Sequence, residues 1–430
     1  MKLWHIFAGA GILLTWLLVS CSGDEGSEPP RSAITGHIQL EGIAAQSDVE
    51  VILRTASDSL VAQQTTPATG EFEFTGLTSG TYRLEIASNR ESHENRRLEN
   101  ISVNVGQITH VGDLLLRQYT PIDDHLITHT TWTAAESPYR IDRRIKIEPG
   151  VILTLLPGAE IQFTAFGELN ILGTLTAIGT RTQPIVFTST ALRPAANAWR
   201  GIYAASPAVN SRLEYTIVEY AKNAINSDFA GIDLFHSTLR YSDKGIFSES
   251  ISRQQIVGNR IEANRIGVQT DMVSNIVIID NQFDNATNLF LEHSGARIEH
   301  NQFQGELGIH VRAIREAAVT IIANQFVVND KAIWCTVDSY PEVHQNNFLQ
   351  GTYWIYSDFF YGQTTHGIDA YQEERDINAT NNWWGTTRLA DIRTKIWDEH
   401  NNTGQYGDQT FSYVQIEPVL LTANSDAGPR

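Results

Sequence analysis

The chain has 430 residues, 42% of them hydrophobic, and its 31 Lys and Arg against 49 Asp and Glu give a formal net charge of −18. That length suits one large core with a smaller domain beside it, and 31 Gly suit a fold with many turns. No basic stretch offsets the acidity, which argues against a nucleic-acid partner and for solubility and repulsion from anionic polymers.

The N-terminus opens with Lys2, a largely apolar run from Leu3 to Val19, and the tetrapeptide Leu18-Val19-Ser20-Cys21. The run is short for a membrane-spanning helix, and Cys21 closes it. Residues 1–20 resemble the signal peptide of bacterial lipoproteins and its lipobox, which implies that Cys21 becomes the acylated N-terminus after cleavage. By the same resemblance, Ser22 in place of Asp favours the outer membrane of a Gram-negative bacterium, and Asp24-Glu25 favours exposure at the cell surface. The membrane is then a partner through the lipid alone. Residues 21–32 read as the acylated Cys and a flexible polar tether. Cys335, the only other cysteine, is left without a partner and is expected to be a small buried hydrophobe on a strand face shared with Ile333.

From residue 33 to 117 short alternating runs separated by turns predict strands at Ile34–Leu40, Val49–Thr55, Gly70–Phe74, Gly80–Ala87, Ile101–Val105 and Val111–Leu116, hence a small β-sandwich. The run from Thr69 to Tyr82 resembles the carboxypeptidase regulatory-like, transthyretin-like module, which implies a spacer or interaction domain without catalytic residues. The His and acidic residues between Ser92 and Glu99 lack metal-ligand spacing and are expected at the surface.

Between Leu213 and Phe348 one phrase recurs about every 22 residues, among others as Gly258-Asn259-Arg260-Ile261, Asp280-Asn281-Gln282-Phe283 and His300-Asn301-Gln302-Phe303. Short β-branched and aromatic runs on both sides of it predict a β-solenoid. Val218, Leu239, Ile261, Phe283, Phe303, Phe326 and Phe348 then form one inward column. Thr216, Ser237, Asn259, Asn281, Asn301, Asn324 and Asn346 form a polar column at a bend, where Asn tolerates left-handed backbone angles and can bond the amide above. Glu219, Arg240 and Glu262, and likewise Lys222, Asp243 and Arg265, predict charge columns of alternating sign.

The strand and turn order from Thr131 to Ile202, and the closing segments Asn381-Asn382-Trp383-Trp384-Gly385-Thr386 and Ile416-Glu417-Pro418-Val419-Leu420, resemble bacterial right-handed parallel β-helix proteins of the pectin-lyase-like superfamily. The expected fold is all-β, a right-handed parallel β-helix over 120–424 after the β-sandwich. A short capping helix is expected from Ala390 to Glu399, with Trp383 in the inward column beneath Phe348.

That superfamily includes lyases that use Ca2+ and glycosidases that use paired carboxylates. No acidic column beside a basic residue emerges from the repeat alignment, and Arg144-Ile145-Lys146 lacks the companion motifs of a polygalacturonase. No cofactor is predicted, and Ca2+ enters only if the protein is a polysaccharide lyase. Between Asn346 and Asn381 the step is 35 residues, and the excess contains Phe359, Phe360, Tyr361, Asp369 and Glu373 as candidate ligand-binding residues. The expected function is binding of a glycan or another surface polymer without catalysis. The alternatives are a polysaccharide lyase or glycoside hydrolase, and a structural or adhesive protein.

Overall fold

The computed structural model describes residues 32–251, 253–313, 318–337, 339–358, 376–398, 400 and 412–430. Cys21, Phe359, Phe360, Tyr361, Asp369 and Glu373 lie outside them.

Each turn of the solenoid carries three short strands, as in Gln254–Val257, Arg260–Glu262 and Ile266–Asp271. Each strand pairs in parallel with its counterpart one coil away, so three faces run the length of the molecule. The first face is a continuous sheet of ten strands. In the next two coils the second and third strands fuse into single bent strands, Gln282–Glu292 and Gln302–Arg312.

The inward column is where the repeat places it. Phe283, Phe303, Phe326 and Phe348 are fully buried and stack face to face at 5.0–5.1 Å between centroids. The ring that closes this stack is Trp384, 4.5 Å from Phe348, while Trp383 is only half-buried. The expectation for Trp383 is thus off by one residue. The polar column explains the shift, because Asn382, not Asn381, accepts from Asn346, which makes the long step 36 residues.

The Asn column is a hydrogen-bond ladder. Each amide from Asn259 to Asn346 donates to the side-chain oxygen of the next Asn at 2.9–3.0 Å. The same oxygen accepts the preceding backbone N–H, and the donor also reaches a backbone carbonyl, so buried polar groups at the corner are satisfied. The left-handed residue is not the Asn but the one before it, as at Asp280, His300, Ala323 and Gln345. A second ladder, Asn264 to Asn285 to Asn288, holds the corner between the second and third faces. The charge columns also form, with Arg240 on Glu219 and Arg265 on Asp243.

Before the solenoid, a three-stranded and a four-stranded sheet share one hydrophobic cluster that includes Ile34, Val51, Phe72, Leu84 and Leu116. The strand Leu60–Thr65 is additional to the expected ones, its side chains being mostly exposed and its sequence short of alternating apolar residues. His93 and Glu94 are buried, not at the surface. His93 Nε2 meets the Glu41 carbonyl at 2.9 Å, and Glu94 takes a two-pronged ion pair from Arg117, which also reaches Glu160 on the solenoid.

The expected helix is shorter than its pattern suggests, covering Leu389–Arg393 only. Ile396 and Trp397 leave it to pair with Ile355 and Tyr356, so this segment continues a sheet as well as covering it. After Pro418 the chain runs back along one corner, bonding Asn382, Asn347 and Ala323 in turn, with Arg430 against Asp280.

Candidate functional site

Strand residues alternate between faces, so an outward position repeated coil after coil becomes a column of side chains about 4.8 Å apart. On the third face the register Phe247, Gln269, Phe290, His310, Trp334, Tyr356, Trp397 is such a column. These side chains are half-buried. Phe290 stacks on His310 at 4.7 Å and His310 on Trp334 at 4.1 Å, and farther along Tyr356 stacks on Trp397 at 5.5 Å. Tyr353 meets Tyr356 edge-on at 5.0 Å. The Lys331 ammonium lies 5.3 Å from the Trp334 ring and 5.0 Å from the Tyr356 ring, held by Asp330 at 2.6 Å.

Two residues farther along each strand, about 6.6 Å away, runs a second outward column. It reads Asp228, Glu249, Asp271, Glu292, Arg312, Thr336, Asp358. Four carboxylates on successive coils with Arg312 next in line contradict the expectation that no acidic column exists. Tyr203 donates to Asp228 at 2.8 Å, His293 Nδ1 lies 3.1 Å from Asp271, and Arg312 pairs with Glu292 at 2.8 Å. Glu249 has no ion-pair partner among the described residues.

Like charges facing one another across neighbouring strands are mutually unfavourable, so this column carries a local field that the alternating ladder of Glu219 and Arg240 lacks. His310 is neutral at pH 7. Burial between two rings, with Arg312 and Lys331 nearby, pushes its imidazole down to about 4. Burial pushes the Asp358 carboxyl up, against the pull of Lys331. At the foot of the aromatic column, in register below Tyr203, Asn170 is 6% exposed and its Oδ1 has no hydrogen-bond partner among the described residues.

With that geometry in view, the chain matches the family model of the right-handed β-helix region over residues 201–348. The solenoid is a right-handed parallel β-helix. The matched segment contains most of both outward columns. A comparison with curated proteins finds no match.

A cleft of about 540 Å³ lies where the preceding sheets meet the β-helix, lined by Arg96, Arg97, Arg117, Glu94, Glu99 and Glu160 among others. Its charges largely pair with each other, Arg117 with Glu94 and Glu160 and Arg97 with Glu99, so it is a docking seam. Cys335 is buried in the core of the third face, as expected, and burial alone pushes its thiol up to about 12, which makes it inert as a nucleophile. Among the described residues no group of three or more His, Cys, Asp or Glu could hold a metal ion.

The candidates Phe359, Phe360, Tyr361, Asp369 and Glu373 lie outside the described residues, which stop at Asp358 of the second column and resume at Asp376. The two columns themselves are the residues that sequence reasoning missed.

Proposed function

We propose that the protein is a lipid-anchored cell-surface β-helix that binds a glycan along its third face without catalysis. One observation carries the reading. Stacked, half-buried rings recur at the coil spacing on an outward face, where sequences under no such demand put polar residues. Stacked on one another, the rings turn their edges outward as an apolar strip against which the C–H faces of sugars can pack, and the adjacent column offers acceptors for hydroxyl groups.

Catalysis is less well supported. Asp358, whose raised carboxyl would suit a general acid, stands three coils from Glu292 along the column, about 14 Å at 4.8 Å per coil. That exceeds the roughly 5–9.5 Å separating the carboxylates of glycosidases. The adjacent carboxylates from Asp228 to Glu292 keep a hydrolase of the pectin-lyase-like superfamily as the second reading.

A glycan array probed with the full chain in detergent tests the proposal. Retention of one polymer class without release of reducing ends supports binding; reducing ends released in proportion to enzyme would favour the hydrolase. The anchor is tested separately. Cys21→Ser should move the protein to the soluble fraction, and unchanged membrane retention and processing would remove the lipid from the account.

A further inference from the structure

We infer that two copies of this chain pair side by side through the first face of the solenoid, with their coils in the same order. Each strand of that sheet buries its first and third residues, such as Ile276 and Ile278, and turns its second and fourth outward. At the centre the outward residues are apolar. Val257, Val277 and Ile279 face out half-buried on two successive coils, and Phe235 stands one coil before them, under the Arg212 guanidinium at 4.2 Å. The rungs on either side carry a base and an acid next to each other: Arg212 with Glu214 at 2.6 Å, Arg297 with Glu299 at 2.7 Å, and His344 with Glu342 at 3.0 Å. An apolar centre with a charged rim is the make-up of a protein interface.

The order of the charges points to a second copy as the occupant. Two sheets pack face to face ~10 Å apart. A two-fold axis parallel to the solenoid sets each coil against the same coil of the second copy and crosses the columns, so that the second residue of a strand meets the fourth. Val277 then meets Ile279, and Gln255 meets Val257. Arg297 meets Glu299 in both directions, which joins two ion pairs into a ring of four alternating charges, and Arg212 with Glu214 does the same. Asp233, set opposite Phe235, gains nothing, but it already accepts the Gln255 backbone N–H at 2.8 Å.

Other arrangements fit less well. With the two-fold axis along the strand of Val277 instead, Glu299 lands on Val257, a carboxylate desolvated without a partner. A partner of one dominant charge finds no matching field, because acid and base share each charged rung. The seven strands from Ser211–Glu214 to Glu342–His344 present roughly 450 Å² on each copy. A standard interface buries ~800 Å² per partner, so the pairing is weak and reversible.

Density-matched sedimentation equilibrium of the full chain in detergent, in a concentration series through the micromolar range, tests this. Dimer should grow with concentration, and Val277→Asp should leave monomer throughout. Arg297→Glu alone puts four carboxylates in one ring and should weaken association about tenfold or more. Arg297→Glu together with Glu299→Arg restores the alternation and should restore the dimer. Trp334→Ala, on the third face, should leave it unchanged.

Monomer at every concentration overturns the inference, as does a dimer that Val277→Asp leaves intact. A dimer lost with Arg297→Glu and not regained by the double exchange overturns the crossed pairing of columns and with it the inference. The glycan reading is judged separately, on the array, and none of these outcomes touches it.

Discussion

His310 shows how a single residue on this face is set by its neighbours. Held between Phe290 and Trp334 and bonded to the Thr336 hydroxyl at 2.9 Å, the imidazole pays for its stacking with a lowered pKa. The unfolded chain takes up this proton near pH 6.5, whereas the folded protein resists until about 4. The stabilisation is therefore complete above pH 6.5 and is lost as the pH falls towards 4. His310→Phe, which keeps a ring in the stack, should flatten that part of the stability profile in thermal melts from pH 7 to 4. A slope identical to that of the wild type would mean that His310 is solvated.

Phe303, stacked at 5.1 and 5.0 Å between Phe283 and Phe326, sits in a stack with no slack. Phe303→Ala should cost roughly 3–5 kcal/mol in chemical denaturation. An unchanged midpoint would contradict the buried register.

At the scale of the strand and coil, backbone approach matters as much as side chains. Gly201 has φ +119°, and a Cβ there would stand 1.8 Å from the Asn223 carbonyl oxygen of the next coil. Gly201→Ala should destabilise the protein by at least about 1–3 kcal/mol, measured by urea unfolding. A neutral result would mean that the coils are farther apart than described.

Coil-scale geometry also separates what the sequence reveals from what it conceals. The inward Phe column and the Asn ladder were legible because both sit at a fixed distance from the repeated phrase. The acidic column is not at a fixed distance. Asp228, Glu249 and Asp271 lie twelve residues after Thr216, Ser237 and Asn259, but the same offset from Asn281 and Asn301 lands on His293 and Ala313. In those two coils the second and third strands fuse, which shortens the corner by one residue and puts Glu292 and Arg312 in register instead. The aromatic column is hidden by the same slip. Trp383 and Trp384 were confused because the ladder partner after the insertion is Asn382, and nothing in Asn381-Asn382 says which amide faces inward. The helix was overextended because Ile392 and Ile396 fit a helical period, although Ile396 is buried through strand pairing with Ile355.

At the scale of the whole molecule, ionic contacts tie the preceding sheets to the solenoid. Glu85 is fully buried and is met by Arg54 and Arg83 from its own region and by Arg193 from the β-helix at 2.7 Å. Arg193→Ala leaves Glu85 with two guanidinium partners, so the fold should survive while the docking weakens. Calorimetry should then resolve two unfolding transitions, or separate them further than in the wild type, and superimposable traces would show that Arg193 does not couple the regions.

The central claim is that ligand lies along the third face and not along the ladder of Glu219 and Arg240. Hydroxyl-radical footprinting of the full chain, with and without a saturating polymer chosen from the array, tests it most directly. The account predicts protection of Phe290, Trp334, Tyr356 and Trp397, with Phe235 and Tyr241 oxidised as before. Protection of Phe235 and Tyr241 with the Trp334 column unchanged would contradict it.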